Sequence, residues 1–192
     1  MPLQNYLSAL ALLLFFVLLA GRTLTLRKRG IRAIVFGQTD KSDFLLVPVL
    51  LLVAYAVLAR SFGLPMWSPL LTPFWEVPAP GWLGLALCSA GLCGFALTLI
   101  SFGDSFRVGI DEKKPDKLVT DGMFAISRNP IYVCFLLFFC GLFLVHRNWL
   151  IAVAVALFAL AIHRQVLREE AFLKKHYGDE YMNYCKKVRR YL

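Results

Sequence analysis

Residues 81–102 read GWLGLALCSAGLCGFALTLISF and contain no charged side chain. As a helix, this run would be about 33 Å long at ~1.5 Å per residue, enough to cross a hydrocarbon core about 30 Å thick. Lipid offers no partner to a free backbone N–H or C=O, so such a run must be helical. Working outward, further apolar runs occupy about 6–21, 44–62, 130–145 and 149–162. The runs at 6–21 and 44–62 read as crossings like 81–102. The last two are shorter, and read as a tight hairpin or as helices extended by their flanks.

Composition agrees with this reading. Of 192 residues, 59% are hydrophobic and 17% charged, with a mean hydropathy of +0.65. Soluble domains run at roughly 45–50% apolar and about 25% charged. A disordered chain is excluded, and a soluble globular domain is disfavoured. Five cysteines without C-x-x-C spacing exclude a disulfide framework and the usual zinc patterns, and no metal site is expected.

The net charge of +9 invites a nucleic-acid reading, but its placement argues otherwise. Arg22, Arg27, Lys28, Arg29, Arg32 and Lys41 follow the first apolar run. Arg107, Lys113, Lys114, Lys117 and Arg128 follow the third. Arg164, Arg168, Lys174, Lys175, Lys186, Lys187, Arg189 and Arg190 crowd the end of the chain. Positive loops stay in the cytoplasm, which puts 22–43, 103–129 and 163–192 inside. Segment 63–80 has Glu76 but no Lys or Arg, and belongs outside with Trp67, Trp75 and Trp82 at interfacial depth. Pro65, Pro69, Pro73, Pro78 and Pro80 keep it from being a regular helix. The first run has its charges after it and not before it, so it reads as an uncleaved helix with its N-terminus outside. The expectation is an all-α integral membrane bundle of about five transmembrane helices with a cytoplasmic C-terminal amphipathic helix. It forms a single domain over 1–192, with three helices and the outer loop in 1–102 and a cofactor-binding half in 103–192. Membrane lipids are expected partners and nucleic acid is not.

Polar residues close to lipid are costly, so they mark candidate chemistry. One cluster runs from Ser101 to Asp111. A second is Leu118-Val119-Thr120-Asp121-Gly122-Met123-Phe124 followed by Ser127-Arg128-Asn129-Pro130-Ile131-Tyr132. Read plainly, Asn129-Pro130 is an N-cap and first helical residue. A third cluster joins Arg164, Gln165, Arg168, Glu169 and Glu170 to Lys174, Tyr177-Gly178 and Tyr181. Its plain reading is an amphipathic helix with Phe172, Leu173, Tyr177, Tyr181 and Tyr184 on the apolar side and a surface pair between Glu170 and Lys174. Adjacent helical side chains point about 100° apart, so at most one of Glu169 and Glu170 is expected to face a given site. Cys88, Cys93, Cys134 and Cys140 read as packing residues. Gly91-Leu92-Cys93-Gly94 is a small-residue patch that lets helices approach. His146 falls at an outer corner, while His163 and His176 read as interfacial.

The second and third clusters together resemble the isoprenylcysteine carboxyl methyltransferase family. Residues 118–132 look like L-V-T-x-G-x-[FY]-x-x-x-R-H-P-x-Y. Glu169 to Tyr184, with the closing Val188-x-Arg190, looks like E-E-x-x-L-x-x-x-[FY]-G-x-x-[YF]-x-x-Y. Phospholipid N-methyltransferases share related motifs. The resemblance covers about 101–192. It implies a membrane enzyme using S-adenosylmethionine, with a cytoplasmic cofactor pocket and a lipophilic acceptor such as a prenylated small molecule. Cofactor contacts would fall on Arg128, Asn129, Tyr132, Glu169 and Glu170, with the backbone of Gly122, Met123 and Phe124 beside them. Glu169 or Glu170 would accept from the ammonium and Arg128 would pair with the carboxylate. Arg164 and Arg168 would serve a carboxylate acceptor as catalytic cations.

The chain departs from the family pattern in three places. Asn129 replaces the family histidine and cannot titrate near pH 7. Gln165 stands where an arginine is usual, and the end of the chain lacks the usual proline. The best-matched members of the family it resembles methylate a carboxylate, while amine or thiol acceptors are alternatives. Membrane sterol reductases carry a similar tail, so a nicotinamide-dependent reductase and an inactive adaptor stand as the other readings. A bacterial inner membrane fits the size better than endoplasmic reticulum.

Overall fold

The computed structural model describes residues 3–29, 46–103 and 118–192. Helix α1 spans Leu3–Lys28, α2 Leu46–Phe62, α3 the single turn Ser68–Leu71, and α4 Ala79–Phe102. A 3-10 turn, Gly122–Ala125, precedes α5 (Pro130–His146), α6 (Trp149–Tyr177) and α7 (Asp179–Lys187). No strand occurs among the described residues. The molecule is the all-helical membrane bundle that its apolar runs predict. The basic residues Arg32, Lys41, Arg107, Lys113, Lys114 and Lys117, and the cluster from Asp104 to Asp111, lie outside the described residues.

Helices α1, α4 and α6 are long and apolar enough to cross a membrane, while α2 and α5 are shorter apolar helices. The length of α6 has a local cause. Asn148 caps its start, Oδ1 accepting from the Ile151 N–H at 3.0 Å. Nothing then interrupts 29 residues until Gly178, whose φ of 50° is the left-handed stop that glycine tolerates. The apolar run 149–162 is thus the front half of one rod, and its polar half carries Glu169 and Glu170. The single amphipathic helix expected across Phe172 to Tyr184 is divided by Gly178 into the end of α6 and a separate α7.

Two backbones meet closely at the centre. A Cβ on Gly141 of α5 would sit 2.5 Å from the Gly84 carbonyl of α4, and one on Gly91 would sit 2.7 Å from the Cys134 carbonyl. Inside lipid, helices associate through close packing, and small residues permit it. The expected patch at Gly91 and Gly94 is therefore used, and the Gly84–Gly141 crossing extends it. Phe15 of α1 stacks on this pair, its ring 5.4 Å from Phe95 and 4.9 Å from Phe138. Cys88 and Cys134 are buried here as packing residues, whereas Cys93 and Cys140 face outward.

The end of the bundle formed by the start of α1, the end of α2 and the α5–α6 corner holds a buried polar cluster. Ser61 Oγ and Ser8 Oγ both donate to the Asn5 carbonyl at 2.8 Å. Ser8 has no second proton, so its 2.9 Å contact with His146 makes the imidazole Nε2–H the donor. Gln4 donates to the Pro78 carbonyl at 3.0 Å, and Arg147 donates to the Val77 carbonyl. These bonds tie 63–80 down. The Phe74 N–H reaches the Arg147 carbonyl at 2.7 Å, and the Phe74 ring meets Trp149 edge-on at 4.6 Å. Arg147 turns the corner in the left-handed region at φ 53°.

Candidate active site

The opposite end of the bundle gathers the sequence motifs. Pro130 begins α5, and Asn129 occupies the N-cap position with no capping bond from its side chain. The plain N-cap reading of Asn129 is corrected here. Its Nδ2 donates instead to Glu170 Oε1 at 3.2 Å and to the Arg190 carbonyl at 3.1 Å. The helix start is held by Ser127, whose Oγ accepts from the Asn129 N–H at 3.1 Å and donates to the Arg190 carbonyl at 3.3 Å.

Glu170 is the centre of the cluster. Oε1 also faces Arg128 Nη2 at 3.3 Å, and Oε2 accepts from Arg190 Nε and Nη2, each at 2.9 Å. Lys174 is not its partner. The Glu170 side chain is only 11% exposed, so its ion pairs are weakly screened and stronger than surface pairs. Its hydrogen bond raises Arg190 above the ordinary arginine value, which fixes the guanidinium as a cation.

Glu169 belongs to a second, linked set. Its Oε1 accepts from the Tyr132 hydroxyl at 2.6 Å and from Gln165 Nε2 at 2.8 Å. Gln165 Oε1 in turn accepts from Arg168 Nη2 at 2.9 Å. Gln165, where an arginine is usual, thus relays between Arg168 and Glu169. The two adjacent carboxylates serve neighbouring sets, reached by Asn129 and Tyr132 one turn apart on α5. The expectation that only one faces the site holds for each set separately, yet the sets are side by side. Arg168 joins this network, whereas Arg164 lies on the exposed face of α6.

The turn 122–125 closes the cluster on the α4 side. Gly122 has φ 58°, and a Cβ there would be 2.4 Å from Ser101 Oγ, which accepts from the Met123 N–H at 3.2 Å. The Phe124 carbonyl accepts from the buried Tyr184 hydroxyl of α7 at 2.6 Å. Burial pushes the Tyr184 phenol up to about 12, so it remains a donor. The Met123 N–H and Phe124 carbonyl thus already have protein partners, and lining by this turn falls to its side chains and remaining backbone groups. Tyr181 is 3% exposed, and its hydroxyl has no oxygen or nitrogen partner among the described residues, only the Cys185 thiol beside it. Burial first and the Glu170 charge second raise its pKa.

Three contributors had no expected role in cofactor binding or catalysis, although Ser101 opens the first polar cluster. Arg190 appears in the sequence only as the last position of the tail motif. Tyr191 meets His163 Nδ1 at 2.7 Å, and Ser101 supports the turn from α4. Spacing along the chain carries no signal for a tail that returns 61 residues to bond Asn129.

The cluster fits an amino-acid head group. Such a head carries an ammonium and a carboxylate on one carbon, so its complement is a carboxylate and a guanidinium in contact. Glu170 and Arg128 are such a pair, with a buried phenol lacking an oxygen or nitrogen partner nearby. Among the described residues, no group of His, Cys, Asp or Glu is placed to hold a metal ion.

Fold and site define a membrane-embedded helical protein with a polar, mixed-charge cluster at one end. The family model described as phospholipid methyltransferase matches residues 80–180. A protein-S-isoprenylcysteine O-methyltransferase of Schizosaccharomyces pombe is 34% identical over 96 residues, covering 47% of this chain and 39% of that protein. A probable protein-S-isoprenylcysteine O-methyltransferase of Oryza sativa subsp. indica is 30% identical over 151 residues, covering 72% and 76%. Protein-S-isoprenylcysteine O-methyltransferase B of Arabidopsis thaliana is 31% identical over 111 residues, covering 55% of each chain. The chain belongs to the isoprenylcysteine carboxyl methyltransferase family, and so to the methyltransferases. It spans well under half of the fission yeast relative's length.

Proposed function

We infer that the protein transfers a methyl group from S-adenosylmethionine to a lipophilic acceptor at the cytoplasmic membrane face. The acceptor class is a carboxylate of the isoprenylcysteine type. The observation that carries this reading is the meeting of Arg128, Asn129 and Tyr132 with Glu169 and Glu170 across 41 and 37 residues of chain, at one end of the bundle. Among the described residues, Arg22 beside the Gly103 carbonyl, Arg128, Arg168 and Arg190 lie at that same end, which supports a cytoplasmic position with the N-terminus outside.

Roles follow from chemistry. Glu170 accepts from the ammonium of the bound donor, and Arg128 pairs with its carboxylate. Asn129 orients Glu170, and Tyr132 orients Glu169. Met123 and Phe124 line the adenosyl side, with Gly122 supplying the turn. S-adenosylmethionine supplies a methyl group already activated on a sulfonium. The protein's own task is alignment, since holding two reactants in line supplies much of such an acceleration. A carboxylate acceptor is ionised at pH 7 and needs no base, only a nearby cation. Arg168, steadied by Gln165, fills that place, with Arg164 at the exposed approach. A phospholipid amine is the second acceptor reading, favoured by the family match over 80–180. An amine acceptor must also lose a proton, a task for which Glu169, beside Arg168 through Gln165, is the candidate base.

Calorimetric titration of the detergent-purified chain with S-adenosylmethionine, and with NADPH in parallel, tests the reading. Saturable binding of the methyl donor that Glu170→Gln weakens about a hundredfold is the expected result. Binding of NADPH alone moves the protein to the reductases, and binding of neither leaves an adaptor.

A further inference from the structure

Glu170 has no spare acceptor site. An ionised carboxylate offers about four lone-pair directions. Arg128 and Asn129 take Oε1, and Arg190 takes Oε2 through both Nε and Nη2. A further cation reaches this carboxylate only if a present donor leaves. Arg128 and Asn129 are poor candidates. They lie just before Pro130, the first residue of α5; Asn129 is buried, and the Arg128 side chain is 13% exposed. The Arg190 side chain is 40% exposed and belongs to no helix.

The backbone beneath Arg190 is held independently of its side chain. The Arg128 N–H donates to the Arg189 carbonyl at 3.0 Å, while Ser127 and Asn129 both donate to the Arg190 carbonyl. Tyr191 anchors the next residue to His163 of α6. The guanidinium can therefore swing away while the tail stays in place.

We propose that Arg190 is an exchangeable resident cation: its guanidinium occupies Glu170 Oε2 and yields that oxygen to the ammonium of an incoming amino-acid head group. This rests on the methyl-donor reading above. The exchange leaves the charge around Glu170 unchanged, because one monocation replaces another. With Arg128 still on Oε1, Glu170 keeps two cationic partners throughout, and no step removes one from a largely buried carboxylate without replacing it. The arrangement also selects its ligand. An adenosine compound without an ammonium offers Glu170 no cation to replace the guanidinium, and Arg190 stays in place. After transfer, the side chain competes with the product's ammonium and speeds its departure.

The test is calorimetric titration of the full chain and its Arg190→Gln and Arg190→Lys variants with S-adenosylmethionine. 5′-Methylthioadenosine, which lacks the amino-acid head, serves as the control ligand. Arg190→Gln is expected to bind S-adenosylmethionine about tenfold more tightly, since the two-point ion pair to Oε2 no longer has to be given up. Arg190→Lys should return to the original affinity, and 5′-methylthioadenosine should bind all three alike. Equal or weaker binding of S-adenosylmethionine by Arg190→Gln overturns the exchange while leaving the methyl-donor reading intact. Absence of binding to the unaltered chain removes both. Hydrogen exchange at the Arg190 Nε–H in the unaltered protein gives an answer without a substitution. It should accelerate when S-adenosylmethionine is added, and an unchanged or slower rate overturns the proposal.

Discussion

Both ends of the bundle bury polar side chains, but they do so with different chemistry. At the α5–α6 corner, Ser8, Ser61 and Gln4 donate to backbone carbonyls, and no carboxylate takes part. At the start of α5, Glu169 and Glu170 collect donors from α5, from α6 itself and from the tail. Bonds to backbone carbonyls tie elements together and have one arrangement. Bonds to carboxylates from mobile cations can be exchanged for bonds to a ligand. The first end acts as a clasp between helices, and the second has the chemistry of the proposed site.

Several substitutions test that contrast. The largest effect is expected midway between the ends. Gly141→Leu drives a side chain into the Gly84 carbonyl and the Cys88 backbone, at an overpacking cost of about 3 kcal/mol or more. Thermal denaturation in detergent should show both ends failing together, and a normal melting curve would mean that α4 and α5 need not touch. Next, Glu170→Gln removes two ion pairs, and donor affinity should fall about a hundredfold, near 3 kcal/mol. The melting temperature should fall as well, because Arg128, 13% exposed, loses its carboxylate partner.

The converse applies to the clasp. His146→Leu leaves Ser8 without its donor and should cost about 1–2 kcal/mol of stability. Binding of S-adenosylmethionine should be unaltered, and a parallel loss of binding would show that the two ends are coupled. The smallest effect concerns Tyr184. Its phenol is raised from 10 to about 12 in the folded state, mainly by burial. A raised phenol favours the fold fully below pH ~10 and loses that contribution as pH climbs toward 12, because the unfolded chain gives up its proton first. Tyr184→Phe should lower stability by about 1 kcal/mol at pH 7, through the lost bond to Phe124. It should also show a shallower decline above pH 10, and identical alkaline curves for both proteins would remove this assignment.

These contrasts also show what the sequence could and could not reveal. Hydrophobic runs locate α1, α4, α5 and the front of α6 because lipid leaves a long apolar stretch no alternative to a helix. The length of α6 is harder to see, since hydropathy ends near residue 162 while the helix continues to Gly178. The motifs Arg128 to Tyr132 and Glu169-Glu170 are visible as strings, and they do meet in space. The clasp is nearly invisible, because Ser8, Ser61 and Gln4 bond to carbonyls, and every residue has one. Arg190 is hidden for a related reason. Its role depends on where the chain returns, and a basic tail on a membrane protein already has a topological explanation. Asn129 looks like a helix cap in the sequence because asparagine suits that position, and only its geometry shows the side chain turned toward Glu170.

The meeting of Gly84 with Gly141 has one more consequence. Two helices whose backbones touch at a crossing cannot slide or separate by small steps without losing that contact. Helices α4 and α5 therefore behave mechanically as a spine, fixing the start of α5 relative to the turn that Ser101 supports. A lateral opening for a molecule dissolved in the bilayer must form at another seam, where larger side chains can change rotamer. On the proposed function, the α4–α5 pair that carries the start of α5 stays fixed, and entry of a lipophilic acceptor falls to the other helix seams.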